Sequence, residues 1–307
     1  MRVGEAPRVT VVGSYAVGMT LRTDRFPVGG ETRHGSDFDM GPGGKGSNQA
    51  IQAARLGADV ELVTCIGRDT FGDEALALFQ DERVGTSHLV RSDRNTGVGF
   101  IILDASGQNV IILDMGANHE LTVADVESAR TRIECSGAFL TQFEVPLECA
   151  LAGLRMARAA GVPAILNPAP ARSLPHEALA DVDILTPNQT ELRILLGVEA
   201  DDPTDDLALC RELLAAGVGT VVMTRGAAGA LIVSAEGVIA VPSRPVEVVD
   251  STGAGDAFNG ALVTSLAAGS SLEDAVRRAT VAGALECLRL GVVPGLPTAA
   301  ALEAALA

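Results

Sequence analysis

The sequence predicts an α/β protein with a mainly parallel sheet that is covered by helices on both faces. Short, continuously apolar runs alternate with amphipathic helical patterns along nearly all of the 307 residues. Strands that are apolar throughout are typical of parallel sheets buried on both faces. A chain of this length can form one large α/β domain, or one such domain with a smaller appendage.

The order of these patterns predicts the individual elements. Apolar and β-branched residues mark the strands, and apolar residues recur at helical spacing between them. The apolar run VEVVD, which ends at Asp250, predicts one more strand that leads directly into an apolar helix. The other predicted strands span 8–13, 60–67, 138–143, 163–168, 182–187 and 220–226, and the predicted helices span 45–57, 70–82, 146–160, 188–196 and 204–216.

Two segments interrupt the alternation of strands and helices. Residues 15–42 carry turn signals without helical periodicity, and residues 96–113 predict a hairpin around the turn ASGQN. We expect the two segments to form a small β-sheet lid over the carboxyl ends of the parallel strands, where ligands of such sheets bind. An edge decoration or a dimer contact is the alternative. The α/β catalytic domain then comprises residues 1–14, 43–95 and 114–307.

Composition and charge limit the classes of partner. The chain has 23 Lys and Arg against 39 Asp and Glu, a net charge of −16, which argues against nonspecific binding to nucleic acid or anionic lipid. We expect no membrane span, because no apolar run approaches the roughly 18 residues that a span needs. The first residues lack a signal-peptide core. Five cysteines without CxxC spacing predict reduced core thiols and a cytoplasmic location.

The Gly-rich stretch GPGGKGSNQA opens the predicted helix at 45–57. A dinucleotide site is disfavoured because the stretch does not follow the first strand, and a P-loop fails because Lys45 precedes Gly46 rather than Ser or Thr. Glycines allow a ligand to approach the backbone closely, and the side chains of Lys45 and Asn48 can donate to hydroxyl groups. The stretch therefore predicts a site for a polyhydroxy ligand.

Two further motifs each have two interpretations. In TPNQTEL, Asn188 and Glu191 either cap the start of a helix or ligate, through water, a magnesium ion over phosphates. In TRGAAGA, the small residues either form a plain turn or admit a nucleotide, with Thr224 and Arg225 near its phosphates. The residues alone leave both alternatives open.

The motif GAGD, residues 253–256, predicts phosphoryl transfer. Its glycines let successive N–H groups point into one concavity at a helix N-terminus, which makes an anion hole. Asp256 beside that hole can accept the proton of an attacking hydroxyl while the N–H groups stabilise the transferring phosphoryl group. A helix cap alone would explain Asp256 but not the run Gly253, Ala254 and Gly255 before it.

Six motifs, taken in order, resemble the PfkB family of carbohydrate kinases, and within it the ribokinases. They are GPGGKGSNQA, NTGVGFIILDASGQNVIIL, QFEVP, LNPAPARSLP, DILTPNQTE and DSTGAGDAFNGAL. The resemblance covers nearly the whole chain and implies a Rossmann-like, ribokinase-like domain with a β-sheet lid that often forms a homodimer. It also implies transfer of the γ-phosphoryl group of ATP to a primary hydroxyl of a sugar, with Mg²⁺ and an activating K⁺.

The resemblance also implies a role for individual residues. Asp256 matches the catalytic base, and the anion hole matches Gly253, Ala254 and Gly255. The sugar contacts match Gly43, Gly44, Lys45, Gly46, Asn48, Glu144 and Asp256. The ATP contacts match Asn188, Thr224, Arg225, Gly226, Gly229, Gly255 and Thr280, with Glu191 holding Mg²⁺ through water. The K⁺ site matches Asp250, Thr252, Glu286, Arg289 and Gly291.

The chain departs from the ribokinase pattern at two places. Ala16 and Gly18 stand where ribokinases usually carry the Asn and Asp that bind sugar hydroxyls, so we expect ribose to be used poorly. A ketose, a modified sugar or a nucleoside stacking on Tyr15 would fit the vacated space. Gly295 stands where a Ser often follows the Pro, which weakens the predicted K⁺ site.

Two other function classes are weighed against the sugar kinase. They are a noncatalytic sensor on the same fold and an NAD-dependent oxidoreductase.

Overall fold

The computed structural model describes residues 5–174 and 176–307, whose strands form two separate sheets. The main sheet has nine strands and the smaller sheet has four. The strands are β1 (Arg8–Val12), β2 (Ala16–Arg22), β3 (Ser36–Gly43), β4 (Asp59–Gly67), β5 (Leu89–Ser92), β6 (Gly97–Leu103), β7 (Asn109–Asp114), β8 (Ala138–Thr141), β9 (Ala164–Leu166), β10 (Ile184–Leu185), β11 (Thr220–Thr224), β12 (Ala230–Ser234) and β13 (Gly237–Val241).

Helices flank the main sheet. Three of the longer ones begin at a side-chain cap that the sequence supplies, as Asp69 does for the helix that starts at Thr70. The α-helices are α1 (Lys45–Arg55), α2 (Thr70–Asp81), α3 (Val123–Ser128), α4 (Arg130–Glu134), α5 (Leu147–Ala159), α6 (His176–Leu179), α7 (Gln189–Leu195), α8 (Asp206–Ala215), α9 (Ala254–Ala267), α10 (Leu272–Glu286), α11 (Val292–Gly295) and α12 (Ala299–Leu306).

The order of strands in the main sheet is β13-β12-β11-β10-β9-β8-β1-β4-β5. Every pair from β11 to β5 is parallel, and β12 and β13 add an antiparallel edge. The predicted mainly parallel α/β fold is therefore confirmed. All six strands predicted at 8–13 through 220–226 lie in this sheet.

Both faces of the main sheet are buried, as the continuous apolar runs predict. Neighbouring residues of one strand face opposite sides, so Val11 and Leu140 belong to one apolar cluster while Val12 and Phe139 belong to the other. All four side chains have no exposed surface. The helices on the two sides of the sheet cover these two clusters.

The four-stranded sheet is formed by strands from residues 15–42 and 96–113, the two segments that interrupt the alternation of strands and helices, and β7 ends one residue beyond the second segment. β2 pairs with β3 in antiparallel and with β6 in parallel orientation, and β6 and β7 form the predicted hairpin. At its turn the Asp104 carboxylate accepts the N–H groups of Ser106 and Gln108. Because only three residues separate the end of β1 from the start of β2, the small sheet rises from the carboxyl edge of the main sheet. The exact division into domain and lid stays a prediction.

The prediction of a strand at VEVVD is wrong. Residues 246–250 form no strand and pair with none in the described part of the chain, and Val248 and Val249 are 59% and 62% exposed. The Val249 N–H group donates to the carbonyl of Cys287 at 2.8 Å, so this segment is held by the end of α10. An apolar run without a neighbouring sheet edge does not make a strand.

Four of the five cysteines are buried and unpaired, as predicted, but Cys135 is exposed. Burial raises the pKa of the Cys149 and Cys210 thiols to about 12, which suits inert core thiols. Within residues 5–174 and 176–307, the helices are all too short or too polar to cross a membrane.

Candidate active site

The N-termini of α1 and α9 meet at the carboxyl edge of the main sheet. α1 can begin there because two glycines allow its first turn to pack against the end of β1. Gly44 has a φ of 89°, and a Cβ on it would lie 2.8 Å from the Ala16 nitrogen. A Cβ on Gly46 would lie 2.3 Å from the Ser14 nitrogen. These two glycines therefore serve close backbone packing, and neither lines the site cavity.

Asp256 lies in the first turn of α9, 7% exposed, and both of its carboxylate oxygens are held by amides from α1. Asn48 Nδ2 donates to one oxygen at 2.8 Å, and Gln49 Nε2 donates to the other at 2.9 Å. Burial raises the pKa of Asp256, while the Lys45 charge and the two amide donors act in the opposite direction. The net effect is a fixed carboxylate that is more basic than an exposed one.

Lys45 supplies the positive charge of the site. Burial alone would lower its pKa, but the charges of Asp256, Glu144 and Glu191 outweigh burial and raise it. The ammonium group therefore stays charged at neutral pH. Glu144 also accepts the Lys45 backbone N–H at 2.8 Å and a hydrogen bond from the Ser14 hydroxyl, which anchors the start of α1.

The N-terminus of α9 is open toward the cavity. Gly253 caps it in the left-handed conformation, with a φ of 97°. The Ala254 N–H group donates to the Ser251 carbonyl at 3.3 Å, so of the predicted anion-hole donors this one already has an acceptor. A Cβ on Gly255 would meet no atom within 4 Å. The backbone at Gly255 thus faces free space beside Asp256.

A cavity of about 100 Å³ connects these groups. It brings together seven of the residues predicted from the sequence, and four that sequence reasoning missed complete its wall. The predicted residues are Lys45, Asn188, Glu191, Thr224, Gly253, Gly255 and Asp256. The missed ones are Asn167, Ala169, Thr186 and Asn259.

The missed residues carry recognisable signals. Asn167 and Thr186 each stand at the carboxyl end of a predicted strand, and Asn259 follows Asp256 by three residues on the same helix. Gln49, the second amide donor to Asp256, directly follows the predicted Asn48. Thr186 Oγ1 donates to Asn259 Oδ1 at 2.7 Å, which links the end of β10 to α9.

Asn188 and Glu191, which also line the cavity, form a capping box at the start of α7. Helix capping was one of the two interpretations of the motif TPNQTEL. The Glu191 N–H group donates to Asn188 Oδ1, and the Asn188 N–H group donates to Glu191 Oε2, each at 2.8 Å. Burial raises the pKa of Glu191, against the Asn188 N–H group and the Lys45 charge. Because both residues also line the cavity, capping and a role near phosphates are compatible here.

The loop between β11 and β12 is only partly directed at the cavity. Thr224 lines it, whereas Arg225 Nη2 donates to the Ala228 carbonyl at 3.3 Å. Gly229 has a φ of 84°, and a Cβ on it would lie 2.1 Å from the Val241 carbonyl, so this glycine is required by contact with β13. Gly226, at the tip of the loop, faces open space.

Several predicted residues lie outside the cavity wall. Thr280 is buried within α10, and its hydroxyl donates to the Arg277 carbonyl at 2.8 Å. Tyr15 is 2% exposed and packs edge-on against Phe79, with ring centroids 5.6 Å apart. The prediction that a nucleoside stacks on Tyr15 is therefore wrong, because the ring belongs to the core. Apart from the residues of the predicted K⁺ site, the remaining predicted residues outside the wall are Gly43, Gly44, Gly46, Asn48, Glu144, Arg225, Gly226, Gly229 and Ala254.

The residues predicted for a K⁺ site form a second cluster, on the other side of Gly253. Asp250 accepts the N–H groups of Thr252 at 2.9 Å and Gly291 at 3.1 Å. Glu286 is fully buried. Burial, with smaller contributions from the Asp250 and Asp256 charges, raises its pKa to about 8. Arg289 contributes its backbone, whose N–H group donates to the Glu286 carbonyl at 3.3 Å.

Comparison with known proteins adds an independent finding. The model of the family described as pfkB family carbohydrate kinase matches residues 6–299. The ribokinase of Haemophilus influenzae is 36% identical over 291 residues, which cover 94% of this chain and 95% of that protein. The ribokinase of Mus musculus is 37% identical over 306 residues, which cover 95% and 93%. The structure of Arabidopsis thaliana ribokinase complexed with ribose and ATP matches with a TM-score of 0.89 at 30% identity and covers 98% of this chain and 99% of that chain.

Proposed function

The chain belongs to the PfkB family of carbohydrate kinases, and from this premise we propose that Asp256 is the general base of an ATP-dependent sugar kinase. The carboxylate accepts the proton of a primary sugar hydroxyl as the hydroxyl oxygen attacks the γ-phosphorus of ATP, and ADP leaves. One observation carries this assignment: Asp256 is held by two amides directly beside the open backbone of Gly255. Family membership favours this kinase over an oxidoreductase.

Each neighbour of Asp256 has a separate task in this reaction. The amides of Asn48 and Gln49 fix the carboxylate, and each oxygen keeps a lone pair for the incoming proton. The backbone N–H groups at Gly253 and Gly255 lie at a helix N-terminus, where negative charge on the transferring group is stabilised. The Lys45 ammonium adds a positive charge between the sugar and phosphate sides.

We assign ATP to the side formed by Asn188, Glu191 and Thr224, which line the same cavity as Asp256. Magnesium, when bound, would neutralise the phosphate charge, and Glu191 is the carboxylate on that wall suited to hold it through water. The capping box keeps Glu191 in place, since its second partner is the Asn188 N–H group. A role for Thr280 near the adenine stays a prediction, because its hydroxyl is already bonded within α10.

We propose K⁺ as an activator at the second cluster. The residues fit such an ion, because the fully buried Glu286 carboxyl has no hydrogen-bond partner among the described residues and lies near the Asp250 carboxylate. When bound, a cation there would supply positive charge behind Gly253 and so support the anion hole. Asp250, the Thr252 carbonyl and the turn that includes Gly291 are the other residues that would hold it.

A pentose or a related sugar is the proposed acceptor. Asn48 Oδ1 is buried without a hydrogen-bond partner among the described residues, so it is free to accept a sugar hydroxyl. Ala16 and Gly18 offer no side-chain acceptor on β2, which keeps poor use of ribose as our expectation. With Tyr15 in the core, a sugar or a ketose is favoured over a nucleoside.

We further propose a homodimer through the lid. The small sheet exposes large apolar side chains, among them Phe38 at 64% and Ile112 at 63% exposure. Exposed apolar patches of this kind mark protein interfaces. Size measurement by light scattering tests the proposal, and a monomer at micromolar concentration would contradict it. A cytoplasmic location stays a prediction from the cysteines.

The experiment that tests the proposed function is a coupled ADP assay with ATP, Mg²⁺ and a panel of pentoses, ketoses and nucleosides. We expect sugar-dependent ADP formation that requires Asp256. Binding of sugar or ATP without turnover on any member of the panel would favour the noncatalytic sensor. Thermal shifts with ATP–Mg²⁺ but not with NAD would separate the kinase from the oxidoreductase.

A further inference from the structure

The end of α10 carries a buried carboxyl group that no hydrogen bond satisfies. Glu286 has no exposed surface, and neither of its carboxyl oxygens has a partner among residues 5–174 and 176–307. Buried carboxylates are almost always paired with a positive group or coordinate a metal ion, because leaving the charge alone in the interior is costly. Asp256, by contrast, has donors on both oxygens.

The backbone at Gly253 and Gly295 packs closely against the Glu286 carboxyl. A Cβ on Gly253 would lie 2.8 Å from Glu286 Oε1, and a Cβ on Gly295 would lie 2.9 Å from the same atom. Two loops thus approach the carboxyl with bare backbone. Asp250 is near enough for its charge to contribute to the raised pKa of Glu286. The cluster has two carboxylates and backbone oxygens but no histidine or thiol ligand, which suits a hard cation.

Gly295, which stands where ribokinases often carry a Ser, contacts the Glu286 carboxyl. The Cβ of a Ser at 295 would lie 2.9 Å from Glu286 Oε1 and 3.0 Å from the Glu286 carbonyl oxygen, so its side chain would compete with the carboxyl for the same region. Gly295 therefore lacks a side-chain oxygen ligand and, at the same time, leaves room for the Glu286 carboxyl. A serine hydroxyl at 295 and the Glu286 carboxyl would lie in the same region.

We propose that the Glu286 carboxylate is a direct ligand of a monovalent cation at the Asp250 cluster, and that it replaces the side-chain oxygen that is missing at Gly295. The proposal rests on the proposed K⁺ site and adds its ligand.

Thermal unfolding of the full chain, without sugar or nucleotide, tests this ligand directly. Melting temperature is measured against KCl concentration and compared with NaCl and choline chloride at equal ionic strength. We expect K⁺ to raise the melting temperature of the wild type in a saturable way. In Glu286→Gln the apparent Kd for K⁺ rises about tenfold, and in Glu286→Ala the specific shift disappears.

Two further variants sharpen the measurement. The double variant Glu286→Ala with Gly295→Ser should regain part of the K⁺ shift, because the serine hydroxyl returns an oxygen to the same point. Glu273→Gln is the matched control, since Glu273 lies at the other end of α10, is exposed and pairs only with Arg277. It should keep the wild-type shift.

An unchanged K⁺ shift in both Glu286 variants would overturn the proposal, as would a shift caused by Mg²⁺ or Ca²⁺ but not by K⁺. The absence of any K⁺-specific shift in the wild type would overturn it as well. The ADP assay separates this result from the sugar kinase itself. Saturable K⁺ binding that depends on Glu286, in a protein that phosphorylates no sugar, would support the ligand and contradict the proposed function.

Discussion

The phosphoryl end and the proposed sugar end of the site are built in opposite ways. At the phosphoryl end, Asp256 receives a donor on each oxygen and has the Lys45 charge beside it. At the proposed sugar end, which lies outside the cavity wall, Ala16 and Gly18 of β2 have no side-chain hydrogen-bonding group. Two helix N-termini form the first end, and a strand of the small sheet forms the second. Because different elements hold them, the sugar preference can change while the groups that transfer the phosphoryl remain in place.

Replacing the base tests the phosphoryl end with the largest expected effect. Asp256→Asn should lower kcat by about a hundredfold or more, the scale of lost general-base catalysis, because the amide cannot accept the proton. Thermal melting and ATP affinity should stay near wild-type values, since the amide fills the same space. Asp201→Asn, at an exposed site, is the control. Near wild-type turnover in Asp256→Asn would refute the assignment.

The pH dependence of the wild type gives a second measurement of the same residue. Asp256 must be ionised to accept a proton, and burial raises its pKa. The value of kcat/KM should therefore fall as the pH drops through that raised pKa, at a higher pH than for an exposed aspartate. A rate that stays constant down to the pKa of a free aspartate would show that another group is the base.

The two glycines of the proposed anion hole test different properties. Gly255 tests the need for free space in the cavity, and Gly253 tests the need for a left-handed backbone conformation. Gly255→Ala should lower kcat/KM about tenfold by placing a methyl group in the cavity, with little change in melting temperature. Gly253→Ala should also destabilise the fold, because its φ of 97° costs a residue with a Cβ about 1–2 kcal/mol. Activity assays beside thermal melts distinguish the two. Equal destabilisation by both would mean that Gly255 is a packing residue.

Gly18→Asp tests the sugar end by returning the acid that this strand lacks. A Cβ at Gly18 would sit 3.7 Å from its nearest neighbours, so the side chain fits without strain. One charge-assisted hydrogen bond to a hydroxyl is worth about 1.5 kcal/mol, which corresponds to roughly a tenfold gain in kcat/KM with ribose. Thr20→Asp, two residues along the same strand, controls for charge. Wild-type kcat/KM for ribose above about 10⁵ M⁻¹s⁻¹, well within the normal enzyme range, would contradict the premise.

The sequence could predict features that depend on local signals, but not contacts between distant parts of the chain. Strands, helices and the residues around Asp256 follow from apolar periodicity and from motifs at helix starts, because those signals are local. The direction of Tyr15, which packs on Phe79, and the contact between Glu286 and the backbone at Gly253 could not be predicted, since each joins residues far apart in the chain. The run VEVVD was misassigned for the same reason, because strand formation needs a partner edge.

Glu191→Gln should have the smallest effect and confine it to the nucleotide side. Glutamine can keep the capping box with Asn188, so the fold should stay intact while one negative charge is lost from the cavity wall. A carboxylate that acts on Mg²⁺ through water is worth less than about 1 kcal/mol, so the Mg²⁺ concentration for half-maximal rate should rise about two- to fivefold. The KM for the sugar should stay constant, because Glu191 has its hydrogen bonds with Asn188 on the proposed nucleotide side and none with the proposed sugar contacts among the described residues. Rate measurements that vary Mg²⁺ at saturating sugar, and then sugar at saturating Mg²⁺, make this distinction. A change in the sugar KM alone would show that Glu191 belongs to the sugar end, and the division between the two ends would then have to be redrawn.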